Sequence, residues 1–152
     1  DWLGIGVGSE ENAADQIKHY QKFTVNIPDE SLMLEMEQAG FISHREKIAK
    51  LGLDFQPSKL TQAPILDACP VVLDCQGNRI IEEDGICHIF AKILDRFADP
   101  GLLDDKGHFR NDSFAPTYFM GDGHKRVYRY LDDRVDPMGS FIKKARRKDD
   151  KS

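Results

Sequence analysis

The sequence is poor in cysteine: it has three in 152 residues, an odd number, and no Cys-x-x-Cys pair. This argues against a disulfide framework and against a structural zinc site. Long apolar runs are also missing. Every uncharged stretch is far shorter than the ~20 residues that a membrane helix needs, so we expect no bilayer-spanning segment. Nor is there an excess of positive charge. The net charge is −5, which argues against a general nucleic-acid binder, since such proteins need a basic surface.

The chain lacks an initial methionine and a signal-peptide pattern. It opens Asp1-Trp2-Leu3 and enters an apolar stretch directly, with no positive segment before a long apolar one. Two explanations stay open: residues before Asp1 were cut away, or the fold begins inside a strand. The length suits one domain, and we expect a cytoplasmic protein.

Positive charge is concentrated at the end of the chain. Residues 143–152 hold six basic and two acidic side chains, a charge of +4, which leaves −9 on the rest of a chain whose net charge is −5. We therefore expect a domain over residues 1–142 and a basic, flexible, solvated tail over residues 143–152. A tail that docks on an acidic partner or on nucleic acid is the minority interpretation.

Hydrophobic periodicity predicts a mainly β chain with a few short helices. Alternating apolar residues, turn signals and proline positions indicate strands at Leu3–Val7, Phe23–Ile27, Pro70–Cys75, Ile86–Phe97, Pro116–Met120 and Arg126–Leu131. Residues 79–82 are expected to continue the third of these strands past a bulge or turn, and Asp84-Gly85 is expected to join it to the next strand as a tight hairpin. Helices are predicted from Glu11 to Tyr20 and after Asp29, a good N-cap. Hairpin-joined strands with helices inserted early indicate a mainly antiparallel barrel or sandwich.

The first predicted strand carries glycine at every second position: Gly4, Gly6 and Gly8. The dinucleotide fingerprint G-x-G-x-x-G would need a glycine where Ser9 stands, and no βαβ unit encloses the motif, so a Rossmann site is not expected. Alternate glycines instead allow another backbone or a ligand to approach the strand closely.

The sequence shows no catalytic or metal-binding constellation. Its five histidines are scattered, and adjacent Cys87 and His88 point to opposite faces of a strand, which prevents joint ligation of a metal. No nucleophile motif of the G-x-S-x-G kind is present. We therefore predict no catalytic side chain and no metal site, and we expect the cysteines to be buried thiols.

Five segments, in their order and spacing, resemble the flavin reductase-like family. Phe23–Pro28 is similar to its "F-x-V-N-I-P" strand end, and Ala39–Leu53 to its "G-hydrophobic-hydrophobic-S … D-K-F … G-L" segment. Ala63–Cys75 resembles "A-P … C-P-x-x-L-E-C", and Pro116–Gly121 resembles "P-x-x-Y-x-G". His88–Ile93 lies where the family has "H-x-x-F-x-G-E-V", with departures at two positions. The resemblance covers roughly residues 3 to 132.

The resemblance implies a split antiparallel β-barrel of Greek-key type with inserted short helices, here without the family's N-terminal strands. It also implies a homodimer that binds FMN at the subunit interface. In this family a nicotinamide cofactor, NADH or NADPH, reduces the flavin by hydride transfer to N5, and the flavin passes electrons on. The cofactor then carries the chemistry, which explains why no catalytic residue is found.

The resemblance also suggests which residues bind the flavin. Gly8, Ser9 and Asn12 would lie near the FMN phosphate, and Asn26 by the ring edge or the ribityl chain. Ser43 and Lys47 would approach the flavin of the other subunit. Each of the last three also has a structural interpretation: Asn26 as a turn residue, Ser43 as an N-cap and Lys47 as a solvated helix position.

Three positions depart from the family pattern at the phosphate. Where the family carries two basic residues and a threonine, this chain has Ser9, Glu11 and Ala13. A glutamate there repels a phosphate dianion by about 1 kcal/mol or more near a surface. Two alternatives to a flavin reductase therefore stay open: a flavin-binding or electron-transfer protein without turnover, and a structural dimer that has lost the cofactor.

Overall fold

A computed structural model of the chain describes residues 1–41, 51–122, 124–132 and 134–143. Eight strands and two α-helices lie entirely within these ranges. In chain order they are β1 (Trp2–Gly8), α1 (Asn12–Tyr20), β2 (Lys22–Ile27), α2 (Met33–Phe41), β3 (Phe55–Pro57), β4 (Pro64–Leu66), β5 (Val71–Glu83), β6 (Ile86–Ala98), β7 (Tyr118–Gly121) and β8 (Arg126–Arg129). Short 3₁₀ helices cover Glu30–Leu32 and Pro100–Leu102.

Four strands form the main antiparallel sheet, in the order β1-β6-β5-β2. Its centre is the long β5–β6 hairpin, which turns at Asp84 and Gly85 with φ values of 48° and 76°. Positive φ at both turn residues is the type I′ geometry that matches the twist of two paired strands. The hairpin and the predicted strands of this sheet are confirmed.

Strand β5 bends because it contains two irregularities. Its register with β6 shifts between Asp74 and Cys75 and again between Gly77 and Arg79. The second shift is the interruption that the sequence predicts after Cys75. Bulges increase the local twist and bend the strand, and the sheet accordingly curls into a half-barrel.

The curled sheet packs apolar residues on both faces. The larger cluster joins helix α1 to the sheet and consists of Ala14, Ile17, Phe23, Cys75, Cys87, Ile89 and Ala91. The smaller cluster lies on the opposite face of β5 and consists of Leu32, Cys69 and Val72. All three cysteines are buried and free, as predicted.

Local chemistry favours the end of helix α1 and the start of the helical segment that leads into α2. Helix α1 ends at Gln21, whose left-handed backbone (φ 52°) lets its N–H donate to the Ile17 carbonyl oxygen at 2.8 Å. Asp29 caps the next helical segment, as predicted, since its side chain accepts from the Ser31 N–H at 2.9 Å. That segment begins as a 3₁₀ turn and continues as α2.

Two small hairpins complete the described structure, β3–β4 and β7–β8. The fold class is confirmed: a mainly antiparallel, curled half-barrel with a few short helices. Within the described ranges, no helix is long and apolar enough to cross a membrane. The division into a domain over residues 1–142 and a tail stays a prediction, since residues 144–152 lie outside the described part of the chain.

Candidate functional site

The turn between β1 and α1 holds Gly8, Ser9 and Asn12, the three residues predicted to lie near a phosphate. The Ser9 N–H donates to the Gly85 carbonyl oxygen at 2.9 Å, which fixes the turn against the β5–β6 hairpin. The Glu11 N–H donates to the Gly8 carbonyl oxygen at 3.0 Å and closes the turn. The three residues therefore lie together at the hairpin end of the sheet.

Several donors at this turn lack a protein partner. The N-cap residue Glu11 makes no side-chain cap hydrogen bond. Among the described residues, the N–H groups of Asn12 and Ala13 find no acceptor. The Ser9 hydroxyl oxygen is buried and unpartnered as well. Because the N-terminus of a helix carries partial positive charge, this arrangement suits an anion.

The Glu11 carboxylate would repel an anion bound at this turn. Its side chain lies against the turn, since a Cβ added to Gly8 would be 3.1 Å from the Glu11 Cγ. None of the ion pairs among the described residues involves Glu11. The turn thus offers neutral donors together with two acidic residues, Glu10 and Glu11, and it fits a phosphate group weakly.

Asn26 lies at the other end of the sheet. Gly8 pairs with Ile86 at one end of β6, whereas Asn26 pairs with Val72, which in turn pairs with Phe97. Eleven residues of β6 separate these two registers, a path of about 36 Å along an extended strand. The structure therefore brings Gly8, Ser9 and Asn12 together and leaves Asn26 apart from them.

Both the oxygen and the nitrogen of the Asn26 side-chain amide form hydrogen bonds with other protein groups. Its Oδ1 accepts from the Leu66 N–H at 2.8 Å, and its Nδ2 donates to the Thr24 hydroxyl at 3.0 Å and, more weakly, to the Pro64 carbonyl at 3.5 Å. The Thr24 hydroxyl also donates to the Pro64 carbonyl. Asn26 thus joins strand β4 to the edge of β2. Its predicted role beside the flavin stays a prediction.

Ser43 and Lys47 lie outside the described residues. Their predicted approach to the flavin of a second subunit is therefore still a prediction.

A buried polar network connects the loop after β3 to strand β5. The Thr61 hydroxyl donates to Asp74 Oδ1 at 2.5 Å, and the Ser58 and Thr61 hydroxyls lie 2.8 Å apart. All three residues are buried, and Asp74 Oδ2 has no partner among the described residues. Sequence reasoning missed this network. The one feature of the sequence that indicated this network was Asp74, an acidic residue on the same strand face as the apolar residue Val72.

Two cavities lie at the Asn26 end of the sheet, with volumes of about 350 Å³ and 340 Å³. Pro70 and Asp99 line both. The first is acidic, with Asp29 and Glu30 in its wall. The second has a mixed lining, with Val72, Cys69 and Phe97 on its apolar side and Lys59 and Asp67 among its polar residues.

The thiols of Cys69 and Cys75 are unreactive near neutral pH. Burial raises the pKa of both Cys69 and Cys75 to about 11, with a smaller contribution from the neighbouring Asp29 and Asp74 respectively. Both are protonated near neutral pH, and a protonated thiol is a poor nucleophile and a poor metal ligand. Within the described ranges, no group of three His, Cys, Asp or Glu side chains is arranged to hold a metal ion.

Several solved structures share this fold. No family model and no curated protein matches the chain. The solved structure of 2-nitrobenzoate 2-nitroreductase from Pseudomonas fluorescens superposes with a TM-score of 0.79 at 24% identity, covering 90% of this chain and 68% of that one. Flavoredoxin from Methanosarcina acetivorans gives 0.79 at 20% identity, covering 93% and 76%.

A third similar structure is a putative flavin reductase with a split barrel domain from Shewanella frigidimarina. It has a TM-score of 0.72 at 12% identity and covers 90% of this chain and 69% of that one. At these identities the similarity shows the fold. The chain has the split-barrel fold of flavin reductases and flavoredoxins, and the resemblance to the flavin reductase-like family is confirmed at that level.

Proposed function

We propose that this chain is a flavin-binding oxidoreductase of the flavin reductase type, with FMN as its cofactor and NADH or NADPH as its co-substrate. The observation that carries the proposal is the shared fold over 90% of the chain with a nitroreductase, flavoredoxins and flavin reductases. The turn between β1 and α1 adds a local argument, because it holds unpartnered hydrogen-bond donors at the start of a helix.

The turn would hold the flavin phosphate. The N–H groups of Asn12 and Ala13 would donate to its oxygens, and a rotation of the Ser9 side chain would add a hydroxyl donor. Gly8 lies beside these donors, and the Glu11 Cγ lies close to the space that a Cβ at Gly8 would take. When FMN is bound, it supplies the redox chemistry by accepting hydride from the nicotinamide cofactor, while the protein binds and orients it.

A second subunit would complete the site. In a homodimer, Ser43 and Lys47 of one chain would approach the flavin held by the Gly8–Asn12 turn of the other. Asn26 would reach a flavin of the second subunit, since it lies far from the phosphate turn of its own chain. FMN at the interface, the dimer and these three roles are all parts of the proposal.

A flavin-binding protein without turnover and a structural dimer that has lost the cofactor are the two other candidate functions. Glu11 and Ala13 favour the structural dimer, because a carboxylate beside the phosphate weakens the hold on FMN and alanine offers no hydroxyl donor.

Two measurements on the full chain distinguish these functions. Titration with FMN reports binding through quenching of flavin fluorescence, and NADH oxidation with and without added FMN reports turnover. A reductase binds FMN and oxidises NADH in proportion to bound flavin. A carrier binds FMN with no oxidation above free flavin, and a chain that takes up no FMN contradicts both flavin-binding functions.

A further inference from the structure

The two cavities at the Asn26 end of the sheet are neighbours. Pro70, just before β5, and Asp99, just after β6, line both of them. The Asp99 N–H donates to the Pro70 carbonyl oxygen at 2.9 Å, which holds these two residues together between the cavities. With volumes of about 350 Å³ and 340 Å³, both cavities have the size of small-molecule sites. One carboxylate, that of Asp99, therefore borders two spaces that a small ligand can occupy.

The second cavity opens onto the smaller apolar cluster. Within the described part of the chain, that cluster has three buried residues and four partly buried ones packed against them, so it is incompletely covered. Five of these seven residues line the cavity: Ile65, Leu66, Cys69, Val72 and Phe97. Removal of apolar surface from water is favourable, and a flat aromatic ring covers much of it. The second cavity therefore suits an aromatic ring.

Hydrogen bonds hold the walls of the second cavity in place. Gln56 Nε2 donates to Asp67 Oδ1 at 2.8 Å across the β3–β4 hairpin, and both residues line the cavity. The loop after β3 is anchored from inside the fold, because Ser58 is buried and its hydroxyl lies 2.8 Å from that of Thr61, which donates to Asp74. A site whose walls are fixed in advance loses little conformational freedom when it binds a ligand.

The first cavity is acidic and has an aromatic wall. Asp29, Glu30 and Asp99 line it, and its described lining includes no lysine or arginine. Among the described residues, the carboxylates of Glu30 and Asp99 have no hydrogen-bond or ion-pair partner. The Phe114 ring forms part of the wall and makes an edge-to-face contact with Phe109, with centroids 5.8 Å apart. Carboxylates and an aromatic ring both attract an ammonium group.

The charge of the combined lining decides the sign of the ligand. The two cavities together hold four carboxylates and one ammonium group, those of Asp29, Glu30, Asp67, Asp99 and Lys59. Residues 1–142 as a whole carry a charge of −9, which attracts cations to the surface and repels anions. The lining therefore favours a cationic ligand over an aromatic acid.

We infer that the two cavities form one binding site for an arylalkylamine, which carries an aromatic ring on a short alkyl chain that ends in an amine. The ring occupies the second cavity, and the amine lies beside Asp99 and Glu30 in the first. At neutral pH such an amine is an ammonium group with three donors, and Asp99 and Glu30 supply acceptors that the protein does not use. The site lies at the Val72–Phe97 end of the sheet, away from the β1–α1 turn, and it does not depend on flavin binding.

Isothermal titration calorimetry of the wild-type chain with three ligands tests the ligand class. 2-Phenylethylamine carries both groups, phenylacetate carries a carboxylate in place of the ammonium group, and butylamine lacks the ring. We expect one 2-phenylethylamine to bind per chain, with the other two ligands at least about tenfold weaker. Absence of saturable binding of 2-phenylethylamine overturns the inference, and so does equally tight binding of phenylacetate or butylamine.

Asp99→Asn tests the charged part of the site, since it keeps the shape of the side chain and removes the charge. We expect an affinity for 2-phenylethylamine about tenfold lower than that of the wild type. Asp105→Asn is the matched control, because Asp105 is an exposed carboxylate in the same segment of the chain and lines neither cavity. It should bind as the wild type does. An equal loss in the two variants would assign the effect to net charge and overturn the inference.

The thiol of Cys69 reports the position of the ring. Cys69 lines the second cavity, whereas the other two thiols, those of Cys75 and Cys87, line neither cavity. Mass spectrometry after labelling with a thiol reagent measures the reaction at each cysteine separately. We expect 2-phenylethylamine to slow labelling of Cys69 more than that of the other two. Equal slowing at all three would reflect general stabilisation by the ligand and would contradict the placement of the ring.

Discussion

Substitution of Glu11 tests directly whether the β1–α1 turn binds a phosphate. The turn offers the N–H groups of Asn12 and Ala13 and the unpartnered Ser9 hydroxyl, while the Glu11 side chain lies against Gly8. The Glu11 carboxylate therefore works against the anion that the backbone favours.

We predict that Glu11→Gln tightens FMN binding about five- to tenfold, since it removes about 1 kcal/mol or somewhat more of repulsion. Riboflavin, which lacks the phosphate, is the matched ligand, and its affinity should not change. The gain should shrink as salt screens the charges. Fluorescence titration with both ligands measures the effect. An equal gain for riboflavin would show that Glu11 does not act on the phosphate.

The buried thiols predict a dependence of stability on pH. Folding raises the pKa of Cys69 and Cys75 from an ordinary value of 9.0 to about 11. Unfolded thiols ionise first as the pH rises, so the stabilisation is complete below pH 9 and is lost between pH 9 and about 11. The free energy of unfolding should fall there by at most about 1.4 kcal/mol per pH unit for each thiol.

Urea unfolding between pH 8 and about 11 tests this dependence. The double variant Cys69→Ala with Cys75→Ala is the control, because it is less stable at every pH but lacks both titrating groups. Its pH curve should be flatter than that of the wild type. If the pH curves of the variant and the wild type are parallel, groups other than these two thiols cause the loss of stability.

Strand β4 depends on Asn26 for its attachment to β2. The strand has three residues and pairs otherwise with the equally short β3. The Asn26 Oδ1 accepts the Leu66 N–H at 2.8 Å in a partly buried position, and the Nδ2 donates to Thr24. The side chains of Asn26 and Thr24 thus link β4 to β2, with which β4 forms no backbone ladder among the described residues.

We predict that Asn26→Ala lowers the free energy of unfolding by about 1–3 kcal/mol, because the Leu66 N–H loses its acceptor. Asn26→Asp keeps the acceptor and should cost less. Urea unfolding of the two variants gives the comparison. If Asn26→Ala is as stable as the wild type, the amide does not hold β4 in solution.

The elements that the sequence predicted well depend on local chemistry. Asp84-Gly85 supplies the positive φ of a two-residue hairpin, and alternating apolar residues set the faces of β5 and β6. The contacts that escaped prediction join distant parts of the chain. Asn26 meets Leu66 forty residues away, and Asp74 meets Thr61 across a loop, because the bulges in β5 curl the sheet. No local pattern encodes such curvature.

At the scale of the whole molecule, the fold is better determined than the site. The resemblance in five short segments predicted the split barrel, and similarity to solved structures over 90% of the chain confirms that fold. The predicted site residues do not form one cluster in a single chain. Register places Gly8 and Asn26 at opposite ends of the sheet, so one flavin contacts both regions only if a second subunit brings them together.

Titration of the wild-type chain with FMN and, separately, with riboflavin shows whether the split barrel binds a flavin by its phosphate at the β1–α1 turn. Fluorescence quenching should show saturable binding of one FMN per chain, with tighter binding of FMN than of riboflavin. Absence of saturable binding would contradict flavin binding itself, and equal affinities for the two ligands would contradict the role of the turn.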